Sequence, residues 1–200
     1  MRNTRMFFLA LAFLLSLAGC SRSSTADGSE PADPIRDSPP ALTVICGESQ
    51  IQALKGTCSW TWLNADGTST SIASDSLHPL QAREYMTPLY LPSPLSDTDP
   101  LTADLRFETA PDQVSVRRWS GDDWDRIDAQ SEVIEVSVDD EKSSEDRSFK
   151  ISLENGQYIY EVTAEWNREE QYGGTSSYSI YTLSTESPLS ESGESTLSSP

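Results

Sequence analysis

From Leu101 to Glu108 every second residue is apolar: Leu101, Ala103, Leu105 and Phe107 alternate with Thr102, Asp104, Arg106 and Glu108. Side chains of a strand point alternately to its two faces, whereas a helix repeats every 3.6 residues, so this stretch can bury one face only as a β-strand. The same period returns down the chain. Val114 and Val116 lead to Trp119, and Ser120-Gly121-Asp122-Asp123 turns the chain toward Trp124 to Ile127. Ile134, Val136 and Val138 alternate with Val133, Glu135 and Ser137, and Phe149, Ile151 and Leu153 run to the turn signal Asn155-Gly156. Tyr158, Tyr160, Val162, Ala164 and Trp166 share a face of the longest predicted strand, and Tyr178 to Leu183 returns after a polar connection containing Gly173-Gly174. Pro88, Pro92, Pro94 and Pro100 confine Met86 to Leu91 to an edge or first strand, because proline cannot donate to a central ladder. Seven or eight strands without a helical period predict an all-β, antiparallel sandwich over 81–183.

Upstream, residues 41–80 read as a small β-meander. Leu42, Val44 and Cys46 alternate, Trp60 and Trp62 share a face of a second strand, and Asn64-Ala65-Asp66-Gly67 supplies turn chemistry before Thr68 to Ala73. The pattern leaves two arrangements open, a separate lobe or edge strands of the larger sandwich. Residues 74–84 lack a period and read as a connection. Residues 184–200 are mostly Ser, Glu, Thr and Pro and are expected to form a disordered tail.

The run from Phe149 to Tyr160 resembles the E-to-F corner of immunoglobulin-like domains, with Tyr158 in the place of the corner tyrosine and Trp119 in that of the strand-C tryptophan. Tyr160 stands where antibody domains carry a cysteine, so the resemblance implies an immunoglobulin-like variant without the inter-sheet disulfide.

The amino terminus carries a different signature. Arg2 and Arg5 precede the apolar run Met6 to Leu17, which has secretory-signal length and falls short of the roughly 20 residues of a spanning helix. Leu17-Ala18-Gly19-Cys20 closes it, and this box resembles the lipobox of bacterial lipoproteins, in which the cysteine is acylated and becomes the new amino terminus. The region 43–183 is also similar to that of bacterial lipoproteins of Gram-positive type, a likeness that brings no activity with it. The resemblance implies a leader over 1–19, a lipidated Cys20 holding the protein to membrane lipid at the outer, extracytoplasmic face, and a flexible tether over 20–40. Twenty residues of such Ser/Pro/Asp-rich composition span about 25 Å as a coil and about 70 Å stretched. With Cys20 taking lipid, Cys46 and Cys58 become an even pair in an oxidising compartment. A disulfide between them would contribute on the order of 3 kcal/mol; the alternative is two separate buried thiols.

Charge and side-chain inventory narrow the chemistry. Thirty-two acidic residues against 14 basic ones give a net charge of −18, and the leader takes two of the basic residues and no acid. Nucleic acid is therefore not an expected partner, since its binding needs a basic footprint. His78 is the one histidine and is followed by proline, and there is no Gly-x-Ser-x-Gly elbow, zinc spacing or phosphate-cradling loop. No cofactor is expected, and the chain reads as a non-catalytic binding module for an envelope protein or glycan. An accessory envelope enzyme acting on glycan or peptide, and a structural spacer, are the other readings. Asp122, Asp123 and Asp125 around a predicted hairpin turn, and Asp139, Asp140, Glu141, Glu145 and Asp146 in a connection, are candidate calcium ligands, because calcium takes several converging oxygens from a loop. Trp124, in the acidic hairpin, is the best candidate among the aromatics for exposure and so the candidate ligand-stacking ring, the others being expected in the core.

Overall fold

A computed structural model of the chain describes residues 37–92, 101–139, 147–168 and 171–184, all within the unit Ile35–Pro200. Cys20 with its leader, residues 21–36 of the tether, the acidic connection from 140 to 146 and the tail from 185 lie outside the described residues.

The alternating stretches form two sheets. One runs in the order β2 (Ser49–Gln52), β1 (Leu42–Cys46), β6 (Leu101–Phe107), β10 (Ser148–Leu153) and β9 (Val136–Asp139). The other runs β4 (Ser69–Ser74), β3 (Leu54–Leu63), β12 (Tyr172–Ser184), β11 (Gln157–Arg168), β7 (Gln113–Ser120) and β8 (Glu132–Ile134). Its seventh strand, β5 (Pro88–Leu91), lies parallel to the end of β12, where an edge tolerates the prolines. All other pairings are antiparallel. With β6, β10 and β9 in one sheet and β7, β11 and β12 in the other, the connectivity is that of an immunoglobulin-like sandwich.

Residues 41–80 are part of that sandwich. The β1–β2 hairpin extends the five-stranded sheet through β6, the chain crosses over at Ala53, and the β3–β4 hairpin extends the seven-stranded sheet through β12. This crossing corrects the expected disulfide. Cys46 ends β1 in one sheet and Cys58 lies within β3 in the other, and both are buried free thiols. The bridge expected between them is not formed: the two thiols stand unjoined on different sheets. Burial also raises the Cys46 thiol pKa, which keeps it protonated and unreactive.

The core between the sheets is aromatic at its centre. Phe107 meets Phe149, Trp166 and Tyr178 edge to face, with centroids 6.0, 5.7 and 5.8 Å away. Trp60 meets Trp166 at 5.4 Å and stacks on Tyr172 at 5.6 Å. Trp119 is not in this core. Val114, Val116 and Arg118 face inward from β7, so period two sends Trp119 to the opposite side of the sheet, paired across β11 with Ile159. There it joins a second apolar cluster with Leu80, Ala82, Met86, Ile159 and Tyr181, roofed by the 3-10 turns Pro79–Gln81 and Arg83–Tyr85. The E-to-F corner bond is also one residue pair further along than the resemblance implied. Tyr160 accepts the backbone N–H of Glu154 at 3.2 Å, while the Tyr158 hydroxyl donates to the Glu154 carboxylate at 3.0 Å.

Candidate functional site

Trp124 is half-buried, not displayed on a hairpin tip. The segment after β7 makes a 3-10 turn at Gly121–Asp123 that folds Trp124 back onto the outer cluster, edge to face with Tyr181 at 5.2 Å, with the Arg83 guanidinium 5.3 Å from its ring. Its indole N–H is buried without a hydrogen-bond acceptor. The ring that was expected to stack on a ligand closes the roof of a small core. The acids beside it do not converge either. Asp123 binds Arg126 at 3.0 Å, Asp125 sits at φ 65 with its N–H on the Leu80 carbonyl, and among the described residues no group of three His, Cys, Asp or Glu could hold a metal ion.

His78 is used structurally. Its Nδ1 accepts the N–H of Leu80 at 3.2 Å and caps the Pro79–Gln81 turn, and its ring meets Trp119 at 5.4 Å. Burial holds its pKa below the ordinary value; Glu161 works against this and Arg117 adds to it. Arg117 is ion-paired with the nearly buried Glu161 and stacks on the other side of this cluster over Trp119, 4.9 Å from its centroid. Among the described residues no serine hydroxyl bonds to His78, and the arrangement anchors residues 78–86 to the sheet.

A concavity lies elsewhere, on the solvent face of the seven-stranded sheet over β3, β12 and β11. It is an open groove of about 840 Å³. Trp60 faces the core from β3, so Ser59 and Thr61 face out; on β12 the core-facing Tyr172 and Ser176 leave Gly173 and Thr175 outside; on β11, Trp166 leaves Glu165 and Asn167 outside. Register places these side by side, Ser59 opposite Thr175 and Thr61 opposite Gly173, with Glu165 and Asn167 opposite the same two residues on the far side. The floor is low because it is built from hydroxyls and a glycine, and the walls are the longer Glu165, Asn167 and Gln171. Leu63, 40% exposed, supplies apolar surface at one end.

Gly174, beside Gly173, has a different task. It sits at φ +139, and a Cβ there would lie 2.0 Å from the Ser59 carbonyl oxygen. The glycine lets β3 and β12 meet closely enough for the ladder to run under the groove. At the groove's end Arg168 is tied down, donating to Asp112 at 2.7 Å and to the Ala110 carbonyl at 3.2 Å. Burial works against its charge, but the bond to Asp112 outweighs this and its pKa is raised. Among its described lining residues the groove therefore presents hydroxyl and amide groups beside Trp62, Leu63 and Tyr172, with one carboxylate, and the nearby Arg168 guanidinium is already paired with Asp112. In the sequence, 167–176 reads as a polar connection, and Trp60 and Trp62 as one buried face that draws no notice to Ser59 and Thr61. The signal available was the Ser/Thr alternation opposite those tryptophans.

Compared with protein-family models, curated proteins and solved structures, the chain matches none.

Proposed function

We propose that this protein is a lipid-anchored, non-catalytic binding module at the outer face of a bacterial membrane, and that the groove over β3, β12 and β11 is where it meets an envelope glycan or protein. One observation supports the reading of the domain: it carries an open groove of about 840 Å³, lined largely by hydroxyl and amide groups, on a sheet face above a core filled with aromatics. Such a surface suits a chain-like neutral ligand that lies across it and exchanges hydrogen bonds, more than a small molecule that must be enclosed. Among the described residues the groove is lined by one carboxylate, Glu165, and no imidazole, and the accessory-enzyme reading finds no paired acids among them. The anchor rests on the box ending at Cys20 and on the Ser/Pro-rich tether that follows it.

The two halves are tested separately. Cells fed a fatty-acid analogue should label the wild-type protein and not Cys20→Ala; label retained by the variant overturns the anchor. For the groove, the purified protein should co-sediment with cell-wall glycan or be retained by envelope protein, and Thr61→Arg, an exposed change in the floor, should weaken that retention at least tenfold. Equal retention by wild type and Thr61→Arg overturns the groove as the site.

A further inference from the structure

We propose that β4 is the surface by which two copies of this chain pair, strand to strand and antiparallel about Ile72, so that their seven-stranded sheets continue as one. β4 ends its sheet, and among the described residues no strand pairs with its outer side. Its register with β3 is unbroken over all six residues, and every position except the half-buried Thr70 is exposed.

Proteins usually blunt such edges with proline, charge, a bulge, a covering segment or extreme shortness. The other edges here are blunted in these ways. β2 packs against β5, and β5 begins with Pro88 and is followed by Pro92. β8 has three residues, one of them Glu132, which is ion-paired with Arg118. β9 has four, bracketed by Glu135 and Asp139. Among the described residues β4 has none of these devices along its length: Gly67 to Ser74 contains no proline and no ionisable side chain, in a chain with 32 acidic residues, and the nearest carboxylates are Asp66 and Asp75 beyond its two ends.

Charge selects the occupant. Two molecules of net charge −18 repel over most of their surfaces, and an uncharged edge is where they can approach with no carboxylate opposite a carboxylate. A strand facing its own image is matched in length and polarity, and a two-fold axis closes the assembly at two copies. Geometry then sets the register. A two-fold axis normal to the sheet keeps the groove faces on one side, so paired residues must point the same way. Ile72 faces the core side, opposite Trp60, and is 38% exposed. Centring the axis on Ile72 sets it against the partner copy's Ile72, with Ser71 opposite Ala73 and Thr70 opposite Ser74, and covers the one large apolar side chain of the strand. So short a contact buries less than a standard interface, and the dimer should form and dissociate with concentration.

The test uses the full chain carrying Cys20→Ser, whose remaining thiols are buried. In sedimentation velocity from micromolar to millimolar concentration its mass should rise toward twice that of the monomer. Ile72→Lys should weaken dimerisation at least tenfold with an unchanged melting temperature. Under a mild thiol oxidant, Ile72→Cys should give a disulfide-linked dimer, and Ser71→Cys, which faces Ala73, should give far less. A monomer at every concentration, a dimer indifferent to Ile72→Lys, or equal cross-linking of the two cysteine variants overturns the proposal. So does a monomer in which those β4 amides that point away from β3 resist hydrogen exchange, because another segment then occupies the edge.

Discussion

Arg118 faces the interior from β7, at 8% exposure, and keeps its charge there by reaching outward to carboxylates. It pairs with Glu132 and, at 2.8 Å, with Glu154, and its guanidinium lies 4.8 Å from the Tyr158 centroid. Burial opposes its charge, but bonds to Glu132, Tyr160 and Glu154 more than compensate, so its pKa is raised; the bond to Arg118 in turn lowers that of Glu154. Arg118→Ala should cost about 2–3 kcal/mol, read as a shift of the urea midpoint. Glu132→Gln, on a side chain 65% exposed, should cost less than about 1 kcal/mol. His78 supports a second prediction. Its pKa is lowered on folding, so the unfolded chain binds the proton first: its contribution is complete above the ordinary value of 6.5 and declines as pH falls below it. His78→Asn keeps a side-chain acceptor for the Leu80 N–H and should show a smaller loss of stability than wild type between about pH 6.5 and 5. An identical pH dependence in both proteins would show that His78 does not carry the effect.

Whole strands obey constraints that single residues do not reveal. The alternation of Ile134, Val136 and Val138 reads as one strand, yet the ladder breaks at Glu135: β8 pairs with β7 in one sheet and β9 with β10 in the other. Side-chain parity survives the switch, which is why the pattern could not disclose it. The two cysteines tell the same story. Thiol titration of the non-reduced, unfolded protein should find both Cys46 and Cys58 reactive, and reductant should leave the melting temperature unchanged; one disulfide's worth of missing thiol would contradict the free pair. Gly174→Ala should cost at least about 3 kcal/mol, because it combines a φ of +139 with a clash on the Ser59 carbonyl. Thermal unfolding compared with that of Ser59→Ala, which points into the groove, separates this backbone effect from loss of a floor residue.

For the whole molecule, the alternation of hydrophobic residues was enough to establish two antiparallel layers, the identity of most of the core and the absence of a helical framework. It was enough because strand periodicity is a local property: each side chain's face follows from its neighbours'. Composition likewise determined the strongly acidic surface, and the box at Cys20 motivates the anchor. What only tertiary structure decided is everything that depends on which strands become neighbours. Residues 42–52 and 54–74 join opposite sheets, Trp119 and Trp124 build a second core beneath the 78–86 segment, and Ser59, Thr61, Thr175 and Asn167 come together as a groove. Ser59 and Thr61 are separated from Asn167 and Thr175 by more than one hundred positions in the chain, and no local period encodes their pairing; it is settled by the long-range packing of Trp60, Phe107, Trp166 and Tyr178 between the sheets.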